Sequence, residues 1–122
     1  MYIQIDFDSE EALYIQLRNQ IILAIATSQV KEGESLPSVR VLAESIGINM
    51  HTVNKAYNIL KDDGFVRVDR RRGVVVSIDY DKLRTLSALS DCLKPLLTAA
   101  VVKGVSRDEV KALVDDIYDG LS

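Results

Sequence analysis

The sequence predicts a mainly α fold carrying one small β-hairpin, and three observations lead there. Apolar residues recur at the helical period in five stretches. Two short β-rich runs, 65–68 and 74–78, flank a polar segment that contains Gly73. Two of the helical stripes are separated only by Gly47-Ile48-Asn49. With 122 residues, 48% of them hydrophobic and 27% charged, the chain is long enough to bury a core without covalent staples.

Ile3, Ile5 and Phe7 alternate with polar residues, which predicts a short half-buried strand or extended lead-in. Ser9 is the expected cap of a first helix from about Glu11 to Ser28, with Glu10 and Glu11 at its positive end and Leu13, Leu17, Ile21, Ile22 and Ile25 as its apolar stripe. Lys31 to Ser35 is polar and contains Gly33, hence a loop, and Leu36-Pro37 enforces extended backbone before the next element. Ser38 caps a short second helix whose Val39, Leu42, Ala43 and Ile46 share one face, and Gly47 ends it. Asn49 caps a third, with Val53, Ala56, Tyr57 and Leu60 inward and Gly64 just beyond its end. Two short helices joined across three residues have the spacing of a helix-turn-helix. Asp69 to Gly73 then forms the tip of a hairpin, with three consecutive arginines on it.

Beyond Asp79 the helical period returns. Leu86, Leu89, Leu93, Leu96 and Ala100 are spaced 3, 4, 3 and 4, a seam that calls for a partner helix. Pro95 removes one donor and presses on the carbonyl of Asp91, so a kink or a break into two helices is expected there. Ser106-Arg-Asp-Glu109 has capping-box form and opens a final helix that carries Val110, Leu113, Val114, Ile117 and Leu121 and ends near Gly120.

Charge narrows the function classes. Residues 1–37 hold two bases and six acids, a net −4; residues 38–76 hold seven bases and four acids, a net +3; residues 77–122 hold six bases and eight acids, a net −2. A basic centre between acidic arms is where an anionic partner would sit, although the whole chain is at −3. One cysteine, Cys92, forms no internal disulfide, and with one histidine it makes no four-ligand zinc site, so no metal or cofactor is expected. Cys92 adjoins the seam residues Leu89 and Leu93, which predicts a buried packing role. No apolar run approaches the roughly 20 residues that span a bilayer, and the N-terminus lacks a basic and apolar leader, so the expectation is a cytoplasmic protein without membrane contact. Catalysis is not expected: Asp115 and Asp116 are neighbours that point about 100° apart on a helix, and no nucleophile, base and orienting group converge.

Tyr14-Ile-Gln-Leu, Leu36-Pro-Ser-Val-Arg40, Leu42-Ala43, Ile46-Gly47-Ile48-Asn49, Thr52-Val53, Ala56-Tyr57, Leu60, Gly64 and Gly73 form an extended pattern. It resembles the N-terminal winged helix-turn-helix domain of GntR-family bacterial transcription regulators, over about residues 9–78. The tail resembles that of the small YtrA-type subgroup, whose members are homodimeric repressors, often of transporter operons, with a tail that mainly dimerises. The resemblance implies two domains: a DNA-binding winged helix-turn-helix at 1–78 and a two-helix dimerisation tail at 79–122. The sequence departs from the family at two points. Met50 stands where the family often has a guanine-reading arginine, and Arg71 and Gly73 stand where a Gly-x-Gly wing is usual.

The residues support a double-stranded DNA partner on their own chemistry. N-terminal turns of a helix inserted in the major groove reach base edges. Here those are Met50, His51, Thr52, Asn54 and Lys55, with Asn54 suited to adenine and Met50 to a thymine methyl. Ser38 and Arg40 at the start of the preceding helix complete a phosphate-and-base surface, and Asn49 belongs to the same DNA-contacting set. Arg70, Arg71 and Arg72 at a hairpin tip suit a narrow minor groove or its phosphates. Leu86, Leu89, Leu93, Leu96, Leu97 and Ala100, with Val114 and Ile117, are the expected homodimer surface. A dimer would place two reading helices about 34 Å apart on an inverted repeat. The alternative is a protein-interaction or RNA-binding module without operator specificity. A small-molecule effector between subunits stays open, with no residue pattern that indicates one.

Overall fold

Leu13, Leu17 and Ile21 fall on one side of a helical wheel, and the chain coils accordingly as α1 (Leu13–Ala26), burying Gln16, Leu17, Ile21 and Ala24. The computed structural model describes residues 1–122 as two compact units, Met1–Asp79 and Tyr80–Ser122.

In the first unit the predicted Ser9 cap is not used. The helix starts later, behind Ala12, with no side-chain cap, because the Ser9 hydroxyl accepts the Glu11 N–H at 3.1 Å in a turn upstream. The lead-in is extended, without a strand. Two glutamines on α1 hold it: Gln16 Oε1 accepts the Asp6 N–H at 2.9 Å while its amide donates to the carbonyls of Asp6 and Glu11, and Gln20 makes the same two-way contact with Gln4. Spacing of two along an extended chain thus matches spacing of four along the helix. Ile3 and Ile5 are half-buried, whereas Phe7, expected to share their side, is exposed.

Helix α2 (Val39–Ile46) begins at Ser38, whose Oγ accepts the Val41 N–H at 3.2 Å, and ends at Gly47 with φ 72°, a conformation that glycine adopts without strain. After Ile48, α3 (Met50–Asp62) is capped by Asn49, whose Oδ1 accepts the His51 N–H at 2.8 Å. Helices α1 and α2 both pack on α3. The core is Leu17, Ile21, Val53, Ala56 and Leu60, joined by Leu42, Ala43 and, from the hairpin, Val66 and Val76. Tyr57 is also buried, and its hydroxyl donates to the Pro37 carbonyl at 2.7 Å, which ties α3 to the entry of α2. Burial pushes the Tyr57 phenol well above its ordinary pKa, so it remains a donor.

Strands β1 (Val66–Asp69) and β2 (Gly73–Val76) pair antiparallel, Val66 opposite Val76 and Asp69 opposite Gly73. The segment before α2 lies along the other edge of β2. The Gly33 N–H donates to the Val76 carbonyl at 2.8 Å, Val76 N–H to Glu34 at 2.9 Å and Leu36 N–H to Val74 at 2.8 Å, with a bridge between Ser35 and Val75. The unit closes where the Asp79 N–H donates to the Gly64 carbonyl at 2.8 Å.

In the second unit α4 (Lys82–Val102) runs through Pro95 as one helix, so of the kink or break expected there the break does not occur. Helical turns continue on both sides of the one missing donor. Helix α5 (Arg107–Asp119) opens on the Ser106–Glu109 capping box, and the Ser106 N–H holds the Glu109 carboxyl below its ordinary pKa. No residue of either helix is buried. Cys92, expected to be buried beside the seam, is exposed within the single chain, as the seam itself is. The expectation that no apolar run reaches membrane-spanning length also needs correction: α4 has 21 residues with mean hydropathy 1.3 over its most apolar stretch. Asp91 and Lys94 stand mid-helix, where each would cost about 2.5–3.5 kcal/mol in a bilayer centre.

Candidate nucleic-acid interface

The buried face of α3 dictates its open face. With Val53, Ala56, Tyr57 and Leu60 turned inward, His51, Asn54 and Lys55 are left exposed along a single stripe. Met50 at the first turn is about half exposed, at 49%, and Thr52 is half-buried at the margin. The stripe is polar with little net charge, which suits hydrogen-bond readout of base edges. Asn58 lies one turn beyond Asn54 on the same stripe and is also exposed. Sequence reasoning passed over it, although its i+4 spacing from Asn54 was there to read.

The caps keep a free donor while serving the helix. Ser38 and Asn49 spend an acceptor on the Val41 and His51 amides, so the Ser38 hydroxyl proton and the Asn49 amide protons are not consumed by capping. Arg40 stands exposed in the first turn of α2. Lys55 is steered by the fold: its Nζ lies 3.9 Å from the centroid of the Tyr14 ring on α1. Such an exposed cation–π contact is worth about 0.5–1 kcal/mol, weak enough to yield to a phosphate.

At the hairpin tip the three arginines are not equivalent. Asp69 Oδ1 accepts the Arg71 N–H at 2.8 Å and the Arg72 N–H at 3.0 Å, which shapes the loop and draws the Asp69 carboxyl below its ordinary pKa, assisted by the Arg67 guanidinium at 3.3 Å. Arg70 and Arg71 are exposed and make no side-chain hydrogen bond or ion pair within the chain. The Arg72 guanidinium is instead bonded to the Gly33 carbonyl. The expected trio therefore divides into two guanidiniums without a hydrogen bond in the chain and one bonded to a carbonyl 39 positions away, which no local pattern reveals.

On the second unit, Leu86, Leu89, Leu93, Leu96 and Leu97 of α4 are all exposed, as are Val114 and Ile117 of α5, while Ala100 is half-buried. Leu86, Leu89, Leu93 and Leu97 line an open apolar groove, edged by Ser90 and Lys94. A second hollow of about 270 Å³ lies at the corner between α4 and α5, lined by Leu97, Ala100, Val101, Val105 and Val110 among others.

These features agree with what comparison with known proteins finds. Residues 11–76 match the bacterial regulatory proteins of the gntR family. The chain is 31% identical over 118 residues to the HTH-type transcriptional repressor YtrA of Bacillus subtilis, covering 94% of this chain and 91% of that protein. Among solved structures, YtrA from Sulfolobus acidocaldarius, a GntR-family transcription factor, is 38% identical, with 97% of both chains covered and a TM-score of 0.59. A transcriptional antiterminator from Listeria monocytogenes is 27% identical, with 99% of this chain and 92% of that chain covered and a TM-score of 0.88. A capped helix pair with a polar outer stripe, a basic hairpin beside it and a family match over more than half the length lead to one conclusion: the chain belongs to the GntR family of bacterial transcription regulators.

Proposed function

We propose that this regulator is a cytoplasmic repressor that binds an inverted-repeat operator as a homodimer and occludes a promoter. The observation that carries the reading is the polar stripe of α3 standing in the same compact unit as the free charges of Arg70 and Arg71. Asn54, His51, Thr52 and Met50 address base edges; Ser38, Arg40, Asn49 and Lys55 address phosphate; the hairpin tip addresses the neighbouring groove. The exposed leucine seam of α4, with Val114 and Ile117 of α5, supports pairing of two chains through the tail, since soluble monomers rarely leave so large an apolar face in water. The similarity to a repressor supports the sign of regulation.

The test selects bound fragments from genomic DNA and then measures binding to the selected site. Asn54→Ala should weaken the selected site by about 1–3 kcal/mol at one base-pair position and leave random duplex untouched. Equal loss on every sequence would reject a reading role. Leu93→Asp should sediment as a monomer and bind a half-site weakly; an unchanged dimer would move the interface elsewhere. A second reading, an RNA-binding regulator, draws on the likeness to the Listeria antiterminator. The deep, narrow major groove of A-form RNA does not admit a helix, so duplex RNA should compete poorly at matched salt.

A further inference from the structure

We propose that Arg72 is a positioning residue that fastens the hairpin tip to the segment entering α2, leaving Arg70 and Arg71 to deliver the tip's charge to phosphate. The inference rests on the DNA-binding reading above and adds a division of labour among three adjacent arginines.

Gly33 is the fastening point. Its N–H donates to the Val76 carbonyl at 2.8 Å, and its carbonyl receives the Arg72 guanidinium, so both of its backbone groups are bound to the hairpin, one at the strand and one at the tip. From Gly33 the chain passes along β2 and reaches the Ser38 cap within five residues. A bond from the tip to Gly33 therefore sets where the tip stands relative to the start of α2, the two places that must meet neighbouring phosphates together. Asp69 fixes the same loop from within by accepting two amides. Held on both sides, the tip presents Arg70 and Arg71 in one arrangement and loses less freedom when it meets DNA. Arg72 keeps its charge, since the Gly33 carbonyl is neutral, but the bond holds its guanidinium against its own chain instead of on a phosphate.

The test measures binding of the full chain to a random 30-base-pair duplex across 50–200 mM KCl, for the parent, R70A, R71A and R72A. A residue that neutralises phosphate flattens the slope of log K against log salt by about 0.9 per contact, whereas a positioning residue weakens binding without changing the slope. R70A and R71A should each flatten it by that amount per protomer. R72A should raise Kd about 3- to 10-fold at every salt concentration, with the slope held. In the free protein, amide exchange at Gly33 and Val76 should accelerate in R72A and not in R70A. Flattening by R72A equal to that of its neighbours would overturn the proposal, as would unchanged exchange at Gly33 and Val76. A parent protein that ignores duplex at 50 mM salt would remove the DNA reading, and the exchange result would still decide whether Arg72 fastens the tip.

Discussion

Removing one oxygen from Tyr57 tests how α3 is tied to the entry of α2. In Tyr57→Phe the ring still fills its buried site, but the 2.7 Å bond to the Pro37 carbonyl is lost. The lost bond, together with a half-buried carbonyl left without that partner, costs about 1–2 kcal/mol at neutral pH. With an m-value of about 1 kcal/mol/M for a unit this small, the urea midpoint should fall by about 1–2 M. The pH dependence has a definite sign. Burial raises the folded phenol's pKa above the unfolded value near 10, so the folded state holds its proton more tightly. Its contribution is complete below pH 10 and declines as pH rises from there toward the folded value. At pH 11 the unfolded phenol is mostly ionised, which lowers the parent's stability by about 1.4 kcal/mol through this group alone. The other four tyrosines are common to both proteins, so the gap between parent and variant should shrink by that amount between pH 7.5 and pH 11. Urea melts at both pH values read it directly. A gap that stays constant would refute the assignment of the buried phenol as the titrating group, and no gap at pH 7.5 would refute the value of the bond.

Three further outcomes are expected. Leu60→Ala, at a position with no exposure, should cost about 2–5 kcal/mol in urea unfolding, because the core around α3 has little room to collapse into the space. Gly64→Ala should lower the melting temperature by several degrees: its φ is +82° and an added Cβ would stand 2.7 Å from the Asp79 Cβ, whereas Gly47→Ala meets open space and carries only the backbone strain. The Asp69 carboxyl is held below its ordinary pKa, so its grip on the hairpin tip is complete above about pH 4 and lost as pH falls further. The Arg71 and Arg72 amide resonances should shift together in acid, and in Asp69→Ala they should be displaced already at neutral pH.

What could be read from the sequence was what is decided locally. Ser38, Asn49 and Ser106 are caps because a side-chain oxygen two or three residues before an amide needs nothing else, and Gly47 ends α2 for a reason contained in its own backbone. The inward and outward faces of α3 follow from periodicity alone, and with them most of the candidate reading surface. Ser9 misled because the same local chemistry served a turn instead of a helix. At Pro95 the sequence left a kink or a break open, and the helix continues because its neighbouring turns tolerate one missing bond. Contacts across many residues were not legible. Gln16 looked like any polar residue on a helix, yet its amide is buried and holds the lead-in; Gly33 looked like loop composition, yet the hairpin is fastened to it. Cys92 is exposed within the chain because the leucine seam beside it lies open as well.

Helices α4 and α5 contain no fully buried residue within their own chain. A segment of that kind draws its order from whatever comes to lie against it, so under the proposed pairing protein concentration becomes a thermodynamic variable for this part of the molecule. Dilution then acts as a denaturant. The cell's copy number, through mass action, would set how many two-headed molecules exist to find an operator, and a modest change in synthesis rate would be felt at the promoter as its square.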